Sequence, residues 1–147
     1  IADPKRVCMV GGSYGGYAAL VAAYKQPEKY KCAVAFAPVT DIAELVRSQR
    51  RFVATQDLPV QSGEERSQNS PIEQVEKFGI PVLLVHGDVD RVVYVNQSRS
   101  LVEALEEAGK DYKYFEQVNG DHYLSLQNNR RQFFKEMDVF LTANLGQ

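Results

Sequence analysis

Ser13 lies in the run Gly11-Gly12-Ser13-Tyr14-Gly15-Gly16, and His122 in Asn119-Gly120-Asp121-His122-Tyr123. Between them, His86-Gly87-Asp88-Val89-Asp90-Arg91-Val92 supplies two more carboxylates, Asp88 and Asp90. These residue types can act in sequence on a carbonyl group. An unassisted serine hydroxyl is a poor nucleophile at neutral pH, so a neutral imidazole must take its proton. A carboxylate must in turn fix the imidazole's tautomer and stabilise the imidazolium. Spacing alone does not choose between Asp88 and Asp90. Asp121 is adjacent to His122, so its side chain is expected to diverge from the imidazole. His86, the other histidine, is expected to be structural, with its ring turned towards a sheet rather than towards Ser13.

The surroundings of Ser13 carry their own signal. An apolar stretch, Val7-Cys8-Met9-Val10, precedes it, and the helix-like Tyr17-Ala18-Ala19-Leu20-Val21-Ala22-Ala23 follows. Strand, glycine-flanked serine, helix is the order of a nucleophile elbow, a sharp strained turn that projects the hydroxyl from the end of a sheet. Gly11 and Gly15 are expected to be glycines because a Cβ at either position would clash with the turn. Three other readings compete. A phosphate loop needs Gly-Lys-Ser/Thr at the helix start, and no lysine lies between the glycines and Lys25. A dinucleotide fingerprint wants glycine where Ser13 stands, although Asp41 closes the next strand as that motif requires. A plain strand-to-helix turn is the third.

The elements that must position these residues alternate. Strands are predicted at 7–10, 32–36, 81–85 and 112–118. The first three are short and apolar without clean alternation, as in strands covered on both faces. Helices are predicted at 14–26, stopped by Pro27, at 96–108, ended by Gly109, and at 125–143. Leu101, Val102 and Leu105 share one face of the second of these. Phe133, Phe134, Met137, Phe140 and Leu141 are expected to form the core face of the last. Between 41 and 70 the pattern is less regular: Asp41 opens a capped helix, 56–69 reads as a polar surface excursion, and Ser70-Pro71 starts another helix. Repeated strand–helix units imply a mostly parallel sheet of about four strands with helices on both faces. Ser13, the Asp88/Asp90 loop and His122 then emerge at the carboxyl ends of three strands, the edge where function collects in such sheets.

Composition bounds the partners. The chain has 147 residues and a formal net charge of -2, so it offers no electrostatic case for nucleic acid or for an anionic membrane. Arg50-Arg51 and Arg130-Arg131 are isolated pairs rather than a binding stripe. No apolar run approaches the roughly 20 residues that span a bilayer. Cys8 and Cys32 both fall in apolar, strand-like runs and are expected to be buried free thiols, with a disulfide between them as the alternative. Neither makes metal-ligand spacing with His86 or His122, so no metal and no cofactor is expected.

Three ordered motifs resemble a known family. Gly11-Gly12-Ser13-Tyr14-Gly15-Gly16-Tyr17, His86-Gly87-x-x-Asp90-Arg91-x-Val93 and Gly120-Asp121-His122 are similar to the catalytic domain of prolyl oligopeptidase family serine peptidases. The dipeptidyl-peptidase and acylaminoacyl-peptidase branches are the nearest. Ala37-Pro38-Val39-Thr40-Asp41 and Ser70-Pro71-Ile72 add to the likeness, which covers nearly the whole chain. The resemblance implies Ser13 as nucleophile, Asp90 rather than Asp88 as the acid, His122 as the base and the Tyr14 backbone N–H as an oxyanion donor. It implies short peptides as substrates.

It also implies that the chain corresponds to the C-terminal half of an α/β-hydrolase fold, from the nucleophile strand onward. In that family the full sheet has eight strands and follows a β-propeller. On this reading the 147 residues form a partial peptidase domain, weak or inactive by itself. The strand of Val7, Cys8, Met9 and Val10 becomes an exposed edge through which the chain is expected to form a homo-oligomer. Ala18, Ala22 and Tyr24 are candidates for an uncovered apolar helix face. A carboxylesterase-like hydrolase and a non-catalytic self-associating fragment are the alternatives, and a cytoplasmic location is the expectation.

Overall fold

In the computed structural model, residues 3–49 and 63–146 are described. The Arg50-Arg51 pair and the first part of the polar excursion, 56–62, lie outside them. Four strands, β1 (Cys8–Gly12), β2 (Cys32–Phe36), β3 (Val82–Gly87) and β4 (Tyr112–Gln117), pair in sequence order as one parallel sheet. The helices are α1 (Tyr14–Lys25), α2 (Ile42–Gln49), α3 (Gly63–Asn69), α4 (Asn96–Glu107) and α5 (Gln127–Leu145), with a 3₁₀ segment at Pro71–Lys77. The first strand runs two residues beyond its predicted end, into the glycines, because Gly11 and Gly12 continue the ladder opposite Ala35 and Phe36.

Period-two alternation splits the core into two layers. Ala33, Ala35, Val82 and Leu84 face α1 and α4, where Leu20, Leu101 and Leu105 are fully buried. Cys32, Val34, Leu83 and Val85 face the other way, onto Phe133 and Phe140 of α5. Every residue of β2 and β3 is buried, which is why these strands lack an alternating sequence signature.

Several expectations are corrected. Cys8 and Cys32 are joined in a disulfide, not free: they are opposed in register on β1 and β2, with Cα atoms 4.7 Å apart. Their separation of 24 residues conceals this, because only the pairing of the strands makes them neighbours. Phe134 is 55% exposed, since the face of α5 that meets the sheet is narrower than five side chains. Ala22 and Tyr24 are buried in the chain's own core rather than forming an open face. Residues 63–69 of the polar excursion form α3 rather than a loop.

Local chemistry sets the helix ends. Asp41 caps α2, its Oδ1 accepting the Glu44 N–H at 2.9 Å. At the far end of the chain, Arg6 donates from Nε to the Leu145 carbonyl at 2.7 Å and from a terminal nitrogen to Gly146 at 2.6 Å. One guanidinium thus satisfies carbonyls that the end of α5 leaves without intrahelical partners.

Candidate active site

Ser13 is the single residue between β1 and α1. Its φ of 57° and ψ of -121° lie outside the regions an L-residue prefers. The strained turn is held at both sides: the Ser13 N–H donates to the Phe36 carbonyl at 2.8 Å, and the Ser13 carbonyl accepts the first helical bond, from Tyr17 N–H, at 3.0 Å. The hydroxyl does not cap the helix it precedes and has no hydrogen-bond partner among the described residues. A Cβ on Gly11 would fall 2.9 Å from the Gly15 Cα and closer still to its carbonyl, so only glycine fits there. The same argument fails for Gly15, whose Cβ would meet nothing within 4 Å. Gly16 matters instead: a Cβ there would sit 3.0 Å from Pro38 Cβ and 3.1 Å from the Phe36 carbonyl, so its absence lets α1 start hard against the end of β2.

Asp90 follows β3 in a tight turn and is 4% exposed. Its Oδ1 accepts two backbone N–H groups, from Val92 at 2.8 Å and Val93 at 3.0 Å. Its Oδ2 lies 2.7 Å from Nδ1 of His122. Burial by itself would raise the Asp90 pKa. The opposing N–H groups of His86, His122, Val92 and Val93 outweigh it and hold the carboxyl down at about 2, below its ordinary 3.8. Asp90 is thus an anion, and facing it the His122 imidazole carries its proton on Nδ1, which leaves the Nε2 lone pair free.

His122 arrives from β4 through Asn119, which takes a positive φ of 53°, and Gly120. Asp121 is turned away, as expected: its Oδ1 accepts the N–H groups of Tyr123 at 3.1 Å and Ser125 at 2.9 Å. Asp88 is also apart from the pair. Its N–H donates to the Gln117 carbonyl at 3.1 Å, and its Oδ1 is buried without a hydrogen-bond partner. The structure therefore joins Asp90 to His122 and places Ser13 at the same edge of the sheet, two strands from Asp90, with no hydrogen bond between Ser13 and His122.

Two contributions escape a reading of the sequence. The first is His86, structural as expected and fully buried, whose ring also lies beside Asp90, with Nε2 3.4 Å from Oδ2. The i, i+4 spacing of His86 and Asp90 is a signal that could have found it. The second is Gln97, 4% exposed at the start of α4. Its Oε1 accepts the N–H groups of Thr40 and Asp41, both at 2.7 Å, and its Nε2 donates to the Asp41 carbonyl at 2.9 Å. This amide ties the loop beside the elbow to the helix that follows the acid. Among the described residues, no group of three or more His, Cys, Asp and Glu is arranged to hold a metal ion, and no helix is long and apolar enough to cross a membrane.

A parallel sheet with a serine in a strained strand-to-helix elbow, and a carboxylate–imidazole pair on later strands of the same edge, defines the α/β-hydrolase class. Solved structures match this arrangement over nearly the whole of this chain. A puromycin-hydrolyzing peptidase of Mycobacterium tuberculosis is 27% identical with a TM-score of 0.86, matching 99% of this chain and 23% of its own. An acylaminoacyl peptidase solved with Z-Gly-Gly-Phe-chloromethyl ketone has a TM-score of 0.84 at 22% identity, over 99% of this chain and 25% of its own. The profile of the prolyl oligopeptidase family matches residues 1–147, and the chain belongs to that family. Its relatives include dipeptidyl peptidase 4 of Bos taurus, 27% identical over 95% of this chain and 18% of the bovine protein. The acylamino-acid-releasing enzyme of Rattus norvegicus is 27% identical over 98% of this chain and 21% of the rat protein. The chain thus spans about one fifth of the length of these relatives.

Proposed function

We propose that this chain carries the catalytic residues of a serine peptidase that hydrolyses short peptides through an acyl-enzyme. The observation that carries the reading is the 2.7 Å Asp90–His122 contact, on the same sheet edge as a strained serine whose hydroxyl is not engaged in capping. In this mechanism His122 Nε2 takes the proton of Ser13 as Oγ attacks the scissile carbonyl carbon. The Tyr14 N–H, at the first position of α1 and without an intrahelical partner, faces the developing oxyanion. Asp90 stabilises the imidazolium, which returns the proton to the leaving amine. Water then repeats the sequence on the acyl-serine, releasing the acid and regenerating the hydroxyl. Short peptides as substrates are supported by the relatives' names, a dipeptidyl peptidase and an acylamino-acid-releasing enzyme.

The test is labelling of the intact protein with a fluorophosphonate. Labelling that disappears in Ser13→Ala supports the assignment, and labelling that persists in that variant overturns it. Aminoacyl amides turned over in preference to short acyl esters support peptide over ester hydrolysis; the reverse preference favours an esterase.

We infer in addition that β1 is a self-association edge. It pairs on one side with β2, and Val10, 48% exposed, lies on it. Sedimentation equilibrium across a concentration series would show a mass above that of the monomer. A monomer at every concentration sinks this part of the reading.

A further inference from the structure

The His86 imidazole is buried to 0% exposure, and both of its nitrogens are engaged. Nε2 lies 2.9 Å from the Val93 carbonyl, which can only accept, so Nε2 carries the proton. Nδ1 lies 2.7 Å from Oγ of Ser98, itself fully buried on α4, whose hydroxyl can serve the ring as donor or acceptor. A ring held at both ends has one orientation, and it places Nε2 3.4 Å from Oδ2 of Asp90. That is too long for a strong hydrogen bond, so the N–H acts on the carboxylate as an oriented dipole while giving its short bond to Val93.

Oδ2 is the same oxygen that meets His122. It sits between two imidazoles, with His122 Nδ1 at 2.7 Å in front and His86 Nε2 at 3.4 Å behind. Oδ1 is meanwhile fixed by the N–H groups of Val92 and Val93. Turning Oδ2 away from His122 would break contacts on both oxygens at once.

We infer that His86 is a positioning residue: its locked ring, with Nε2–H turned to the Val93 carbonyl and Asp90, holds the Asp90 carboxylate facing His122 and sets how strongly that carboxylate attracts the His122 proton. The inference rests on reading Asp90 and His122 as the acid–base pair. An N–H dipole behind Oδ2 absorbs part of its negative charge. Removing it leaves more of that charge to stabilise the His122 imidazolium, so His122 should titrate at higher pH. The other charged groups around this cluster include Asp88 and Arg91 in the same loop, Glu116, in register with His86 on β4 and paired with Arg99, and Arg130, which donates to the Leu124 and Ser125 carbonyls just after His122. Asp121 and Tyr123 flank His122, with the Asp121 carboxylate spent on its own turn.

The sequence has 2 histidines, so imidazole NMR titration of the protein resolves both without any turnover. His86→Leu is expected to raise the His122 midpoint by about half a unit to one unit. His86→Gln, whose amide N–H can point at Val93 and Asp90, should return it towards the native value. Ser98→Ala, which frees the ring without removing it, should shift the midpoint the same way by less, and it serves as the variant to read if His86→Leu does not fold. An unchanged midpoint in His86→Leu, or in Ser98→Ala where that variant replaces it, overturns the inference. So does a His86→Gln shift as large as that of His86→Leu, which would mark a packing role. Failure of fluorophosphonate labelling would overturn the peptidase reading and leave this titration intact, so the two are separable.

Discussion

Gly87 and Gly120 touch backbone to backbone: a Cβ built on either would lie 2.8 Å from the Cα of the other. Gly87 ends β3 just before the Asp90 turn, and Gly120 sits in the turn that delivers His122. Their contact sets the distance between the two loops. The Val89 N–H donates to the Gly120 carbonyl at 3.1 Å and fastens the same junction. Gly120→Ala is expected to cost about 1–3 kcal/mol of stability by overpacking. It should also weaken the Asp90–His122 bond, read by denaturant unfolding and by loss of the His122 Nδ1–H proton resonance.

The two glycines that flank Ser13 should respond in opposite ways. Gly11→Ala drives a methyl into the Gly15 backbone and is expected to destabilise by about 1–3 kcal/mol. Gly15→Ala meets open space inside α1 and should be neutral or stabilising by up to about 1 kcal/mol, from helix propensity. Thermal unfolding of the two variants side by side checks the contrast.

The Cys8–Cys32 disulfide closes a loop over a sequence separation of 24 and ties the elbow's strand to its neighbour. Reducing it should lower stability by about 3 kcal/mol in the chain-entropy account. Denaturant midpoints with and without a thiol reductant measure this. A Cys8→Ala, Cys32→Ala double variant should match the reduced protein and be indifferent to reductant. Such a bond persists where the surroundings are oxidising.

Acid should unfold the protein partly through Asp90. Its folded pKa of about 2 lies below the ordinary 3.8, so the unfolded chain takes up the proton first as pH falls. The stability this residue contributes, about 2 kcal/mol, is complete above about pH 4 and lost progressively down to about pH 2. Asp90→Asn should flatten the stability profile in that window, as measured by unfolding at a series of pH values.

Gln97→Leu should be costly for its size. It leaves the N–H groups of Thr40 and Asp41 and the Asp41 carbonyl without their present partners, at about 1–3 kcal/mol for each group left unsatisfied. Gln97→Glu keeps the accepting oxygen but not the donor to Asp41, so it should fall between Leu and the native residue in thermal stability.

Much of the fold could be read directly from local pattern. β2, β3 and β4 and the helices α1, α4 and α5 fall within two residues of their expected bounds, because apolar runs, Pro27 and Gly109 act over a few residues of chain. Phe134 lies outside the buried face because helical periodicity marks a face without fixing its width, and only the sheet beneath α5 does that. Residues 63–69 read as loop in sequence because a short polar helix has no apolar stripe to announce it.

The candidate site divides along the same line. The sequence by itself determined that a glycine-flanked serine, two carboxylates and a histidine lie at strand ends in the order Ser, Asp, His, because strand, turn and helix are local properties. It did not choose between Asp88 and Asp90 from spacing. The tertiary structure separates them, since the Gly87–Gly120 contact brings Asp90, not Asp88, against His122. The bond between Cys8 and Cys32, the ring of His86 behind the acid and the clamp of Gln97 are likewise contacts between segments distant in sequence or brought together by a turn. For the disulfide and the Gln97 clamp, the partners become neighbours only once strand register and helix packing are set, and no local pattern encodes that distance; His86 and Asp90 are four residues apart, and the turn between them faces the ring to the carboxylate.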